Sequence, residues 1–111
     1  MKADFIIKAN QTIEEAMFNI NLNSSRCCVV ISDNEKVIGI VSEGDIIRAL
    51  LKGISIKSNV FKIMNRNFTF LEDTVEEDIL EKKFKEGITL IPILNKNREL
   101  ISVVNYIEYF S

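Results

Sequence analysis

The sequence predicts a mixed α/β (α+β) fold, built from two β-α-β-β-α repeats related by a pseudo-twofold axis and packed as one unit. Three observations predict it. The 111 residues are 47% apolar and 27% charged, an ordinary balance for one compact domain. The chain matches itself: Thr12-Ile13-Glu14-Glu15 recurs 62 residues on as Thr74-Val75-Glu76-Glu77, and Cys28-Val29-Val30-Ile31 aligns 63 residues on with Ile91-Pro92-Ile93-Leu94. Strand-like and helix-like patterns then follow in the same order in both copies.

In chain order, a first strand is expected near Asp4 to Lys8. Thr12 with Glu15 reads as a capping box, opening a helix whose apolar face is Ile13, Ala16, Met17 and Ile20. Cys27 and Cys28 open the next strand. Neighbours on a strand point to opposite faces, so the two do not pair and read as small core residues. After the polar turn Ser32 to Lys36, the β-branched run Val37 to Val41 reads as a strand buried on both faces. Ser42 is its natural stop and the N-cap of a helix from Glu43 to Lys52. Asp45 completes a capping box there, and Val41 with Ile46 has the spacing of a hydrophobic staple. Gly53 ends that helix.

The two repeats cover residues 1–53 and 61–111, joined by a linker over 54–60, with one helical turn expected at Val60 to Met64. In the second copy a strand is expected near Phe68 to Glu72, then a helix opened by a Thr74 capping box with Val75, Ile79, Leu80 and Phe84 on its apolar face. One extra residue near Gly87 shifts the offset. The turn Asn95 to Glu99 and the strand Leu100 to Val104 lead to the last helix. A repeat of this length alone would bury only about 60% of its unfolded surface, so the two are expected to share a core.

Composition restricts function. The net charge of −2 and the lack of a basic run give no electrostatic footprint for nucleic acid. No signal-peptide layout or membrane span is seen, which predicts a cytoplasmic protein. The chain has no histidine, which removes the common zinc sites and the Ser-His and Cys-His nucleophiles. No metal site and no catalytic residues are expected. The chemistry that stands out is the strand-to-helix junction at Ser42, where backbone N–H groups, the helix dipole, a hydroxyl and a carboxylate converge as a seat for a phosphorylated ligand. The same Ser-x-x-Asp pair is also a plain helix cap in proteins that bind nothing.

Gly39-Ile40-Val41-Ser42-Glu43-Gly44-Asp45, within a duplicated pattern, resembles a tandem pair of cystathionine-β-synthase (CBS) domains, a Bateman module. Asp45 to Gly53 together with Ile63-Met64-Asn65-Arg66-Asn67 is similar to the modules that precede sugar-nucleotide transferases in bacterial surface-carbohydrate pathways. The resemblance implies regulatory binding of an adenine nucleotide (AMP, ADP or ATP) or of S-adenosylmethionine, with no cofactor required. It implies that Asp45 accepts from the ribose hydroxyls and that Ser42 donates to ribose or phosphate. The base is expected between Ile7 and Lys8 and the backbone at Arg26 to Cys28, with Arg26 or Arg48 meeting phosphates.

The second copy departs from the motif at Asn105, Glu108 and Ser102, which replace Ser42, Asp45 and Gly39. Its site is expected to be the weaker, because Glu108 is one methylene longer and a displaced bidentate contact loses much of its benefit. The family also implies a homodimer, to which the wide stripe Ile46, Ile47, Leu50 and Leu51 would contribute. The counterpart of Lys52 falls past Ser111, which reads as the amino-terminal regulatory portion of a longer protein with a transferase as attached or partner domain. A dimerisation module without ligand, and an enzyme in its own right, are the alternatives.

Overall fold

The computed structural model describes residues 3–110. Six strands form two three-stranded sheets. The first has the order β1 (Ile6–Lys8), β2 (Cys27–Ile31), β3 (Val37–Ser42), and the second β4 (Leu71–Glu72), β5 (Leu90–Leu94), β6 (Leu100–Asn105). In each, the first strand runs parallel to the middle one and the third antiparallel to it. Helices α1 (Ile13–Asn23) and α2 (Glu43–Leu51) belong to the first repeat, α3 (Glu77–Lys85) and the four-residue α4 (Tyr106–Tyr109) to the second. The predicted mixed fold of two like repeats is observed.

The pleat of each sheet divides the core. Ile7, Cys28, Val30 and Val41 face α1 and α2, packing with Ile13, Ala16, Ile20 and Ile46. Phe5, Cys27, Val29, Ile31 and Val37 face the other way and meet Leu90 and Leu94 of the second repeat, with Phe68, Phe70 and Val103 beside them. Leu80, Phe84, Ile91 and Ile93 fill the helical side of the second sheet. The shared seam expected from the size of each repeat is therefore formed by the inner faces of the two sheets. Val37 N–H donates to the Arg98 carbonyl across it at 2.8 Å.

Local differences from the sequence reading have physical causes. Ala3–Phe5 form a 3-10 turn, so β1 begins only at Ile6. In β3 every second residue is half-buried, because β3 is an edge strand. The Thr12 capping box forms as expected, with Glu15 N–H on Thr12 Oγ1 and Thr12 N–H on Glu15 Oε1, each 3.1 Å. The Thr74 box does not. Asp73 takes φ 60° and Thr74 N–H turns back onto the Glu72 carbonyl at 2.6 Å, so α3 starts at Glu77 and lacks a side-chain cap. Val75 and Ile79 are consequently exposed, while Leu80 and Phe84 are buried.

β4 is short because of Pro92. The first sheet pairs Ile6 with Val29, but Pro92 stands at the Val29 position without an N–H, and pairing begins one step later at Leu71 with Ile93. The single turn after the linker is observed at Val60–Lys62. The linker straps the start of α1: Ile13 N–H donates to Ser58 and Glu14 N–H to Ile56, and Lys57 Nζ reaches Glu14 Oε1 at 2.6 Å. No described helix is long and apolar enough to cross a membrane.

Candidate functional site

β3 delivers the chain straight into α2, and the junction forms a closed ring of hydrogen bonds. Ser42 Oγ accepts from Asp45 N–H at 3.2 Å and donates to Asp45 Oδ2 at 2.9 Å, while Ser42 N–H donates to the same oxygen at 2.9 Å. Asp45 Oδ1 accepts from Arg48 Nη2 at 2.9 Å. The Asp45 side chain is 17% exposed and that of Arg48 66%. The guanidinium lies over Gly44, where a Cβ would stand 3.1 Å from Nη1.

Arg26 comes to the same end of the sheet, since Cys27 pairs with Ser42 in the ladder. Its φ of 67° is left-handed, a conformation costing a non-glycine residue roughly 1–2 kcal/mol. It turns the Arg26 carbonyl onto Glu43 N–H at 2.9 Å. Its side chain is 77% exposed and approaches Glu43 no closer than 4.0 Å. Two of the N–H groups that the junction was expected to leave open, those of Glu43 and Asp45, are thus already paired. The usable groups are the remaining capacity of the Asp45 carboxylate, the Arg48 guanidinium on it, and the Arg26 guanidinium at the same end of the sheet.

Other predicted site residues lie elsewhere. Ile7 and Lys8 pair with Val30 and Ile31, at the far end of β2 from Cys27, roughly 10–13 Å away at 3.3 Å per residue. They do not meet Arg26, Ser42 or Asp45. Ile7 is also buried on the helical side of the sheet. Cys28 is buried on that same side, and its thiol is pushed up to about 12, chiefly by burial. Only its backbone could face a ligand. In the second repeat Asn105 is buried and caps α4 by accepting from Ile107 N–H at 2.8 Å. Glu108 is exposed on that short helix.

Two groups that sequence reasoning did not single out matter at this end. Thr89, one residue before β5, donates its hydroxyl to the Ser25 carbonyl, and its Oγ1 lies 3.7 Å from Cys27 Sγ, which ties the second repeat to the first beside the junction. Burial pushes the Cys27 thiol up, with Thr89 and Ser25 opposing and the Asp45 charge adding to it. Asn23 is the other. Its amide donates to the carbonyls of Asp4 at 2.8 Å and Cys27 at 3.0 Å, and its oxygen accepts from Ser25 N–H at 2.8 Å. A lone asparagine at a helix end carries no pattern that would have revealed this clamp.

Two concavities lie away from the carboxylate. An open groove of about 640 Å³ runs between α1 and α2, lined by Met17, Phe18, Ile47 and Leu50 among others. A cleft of about 290 Å³ lies between the repeats, with Ile6, Ile31 and Leu100 as walls and Glu35 and Glu99 as its acidic groups. Among the described residues no His, Cys, Asp or Glu cluster is placed to hold a metal ion.

Comparison with known proteins bears out the fold of two like repeats. The family model of the CBS domain matches residues 1–52. An uncharacterized 17.7 kDa protein of Acidianus ambivalens is 31% identical over 102 residues, covering 91% of this chain and 62% of its own length. The L-aspartate semialdehyde sulfurtransferase of Methanosarcina acetivorans is 27% identical over 105 residues, covering 92% of this chain but 21% of that enzyme. The chain thus spans less than two thirds of either relative.

Among solved structures, the CBS domain protein of Pyrobaculum aerophilum complexed with AMP superposes with a TM-score of 0.76 at 24% identity, over 95% of this chain and 82% of that one. The CBS domain pair of protein MJ0100, in complex with 5′-methylthioadenosine and S-adenosyl-L-methionine, gives 0.78 at 22% identity, over 99% and 87%. Residues 1–52 therefore match the CBS domain family, and the whole chain has the fold of a CBS domain pair.

Proposed function

We propose that this chain is a regulatory module that binds one adenine nucleotide at the start of α2 and passes its occupancy to an attached or partner domain. One observation carries the reading: a partly exposed carboxylate, Asp45, stands at a helix start with Arg48 and Arg26 at the same end of the sheet. A carboxylate can hold both hydroxyls of a ribose cis-diol, and the guanidinium groups suit the phosphate geometrically. AMP, ADP or ATP is the proposed effector, in keeping with the AMP complex of the Pyrobaculum aerophilum protein. The second repeat has Thr89 at the Arg26 position and Asn105 committed to its own helix, so one dominant site per chain is proposed.

Self-association belongs to the same proposal. Met17, Phe18, Ile47 and Leu50 are exposed along the α1–α2 groove, with Leu51 exposed at the end of α2, and a second copy is the proposed occupant. On the narrower resemblance of residues 45–67, the attached domain is a sugar-phosphate nucleotidyltransferase. A ligand-free dimerisation role is the second reading, favoured by the pairing of both Asp45 oxygens within the chain.

A thermal-shift series with AMP, ADP, ATP, GTP and S-adenosylmethionine separates these readings. A ligand at a hundred times its Kd stabilises by about 2.7 kcal/mol, which raises the melting temperature by roughly 10 °C for a chain of this size. A shift with adenine nucleotides and none with GTP supports the sensor. No shift with any of the five supports the ligand-free reading, and a shift with S-adenosylmethionine alone reassigns the effector.

A further inference from the structure

We infer that Arg48 determines specificity at the first-repeat site, selecting adenosine carrying a 5′-phosphate over adenosine carrying a neutral or sulfonium group. The inference rests on the nucleotide reading of that site. Asp45 Oδ2 already accepts two hydrogen bonds from Ser42, which uses both of its lone pairs. Oδ1 carries the remaining capacity, and Arg48 Nη2 sits on it at 2.9 Å. A ribose that places both hydroxyls on this carboxylate must therefore displace Arg48. The exchange is open to the side chain, because Arg48 is largely exposed and its guanidinium lies over Gly44, which has no side chain to hold it.

The fate of the displaced guanidinium depends on the ligand. Having lost its carboxylate partner, it must find another anion or return to water. A 5′-phosphate supplies that anion with matching geometry and completes the exchange. Adenosine and 5′-methylthioadenosine supply nothing in return, and the sulfonium of S-adenosylmethionine adds a repelling cation. Arg26 places a second cation at this end with only a 4.0 Å approach to Glu43. In the second repeat the corresponding positions are Thr89 and Ser111, neither of them cationic. Discrimination by phosphate is thus a property of the first site.

Calorimetric titration of the full chain with AMP, adenosine and S-adenosylmethionine tests this in wild type, Arg48→Ala and Arg48→Lys. Wild type is expected to prefer AMP to adenosine by roughly 10- to 100-fold, the range for one charge-assisted hydrogen bond. Arg48→Ala weakens AMP, strengthens adenosine and compresses the preference by about tenfold or more. Arg48→Lys restores part of it by keeping the charge. An AMP-to-adenosine ratio in Arg48→Ala within about threefold of wild type overturns the role of Arg48 and leaves the nucleotide site standing. Absence of AMP binding in folded wild-type protein, checked by circular dichroism, overturns the site itself and this inference with it.

Discussion

Replacing Gly39 with alanine probes the close approach between β3 and the segment after the linker. A Cβ at this position would stand 2.7 Å from Met64 Sδ, 3.0 Å from Met64 Cγ and 3.1 Å from the Asn65 carbonyl oxygen. The thioether can swing aside, although Met64 is part of the core on the helical side of the sheet. The carbonyl cannot move freely. It accepts from Ile40 N–H at 3.0 Å, while Asn65 N–H donates to the Ile40 carbonyl at 2.7 Å, so relief strains two main-chain bonds. Such bonds are worth about 0.5–1.5 kcal/mol each, and overpacking typically costs about 1–3 kcal/mol. The smaller unfolded-state entropy of alanine returns about 0.4–1 kcal/mol. We expect a net loss of about 2 kcal/mol, lowering the melting temperature by roughly 8 °C. Urea unfolding followed by circular dichroism measures it. The same substitution at Gly44 is the control, because there a Cβ meets only the mobile end of Arg48 and helix propensity favours alanine by about 0.5–1 kcal/mol. Gly39→Ala within about 0.5 kcal/mol of wild type, at an unchanged m-value, would refute the packing argument.

Three further outcomes are expected. Asp45→Ala should weaken AMP binding by about 1.5–3 kcal/mol, read by calorimetry, and unchanged affinity would place the nucleotide elsewhere. Alkaline stability should fall between pH 9 and 12: above the ordinary thiol value of 9.0 the unfolded chain releases the Cys28 proton while the native chain, with that thiol at about 12, retains it. Denaturation at pH 8 and pH 10.5 checks this, with Cys28→Ala expected to lose its share of the difference and to reproduce the wild-type slope if the reasoning fails. Phe18→Asp, on the exposed rim of the α1–α2 groove, should weaken self-association in light scattering by about tenfold or more while leaving the AMP site intact. A monomeric wild type would dispose of the groove as a self-docking face.

The repeats were legible in the sequence because their signals are local. Capping boxes at Thr12 and Ser42, β-branched runs at 27–31 and 37–41, and the 63-residue offset each depend on residues close in the chain or on their repetition. Thr74 misled because a left-handed turn at Asp73 overrides the cap pattern. Pro92 shortened β4 by removing a donor from a neighbouring strand, an effect that only pairing makes visible. Ser42, Asp45, Arg48 and Arg26 stand at one end of the first sheet, as their spacing suggested, while Ile7 and Lys8 stand at the other. A parallel β1 carries its carboxyl end away from the start of β2, and that direction cannot be read from either strand alone. Thr89 and Asn23 were missed since each acts through contacts between distant segments.

A crystal structure of the full chain grown with AMP tests the central claim most directly. The account predicts one nucleotide per chain, its ribose hydroxyls on the Asp45 carboxylate, Arg48 turned from Asp45 to the phosphate, and nothing bound beside Asn105. AMP seated in the cleft between Glu35 and Glu99, or at both repeats alike with Arg48 still on Asp45, would contradict it.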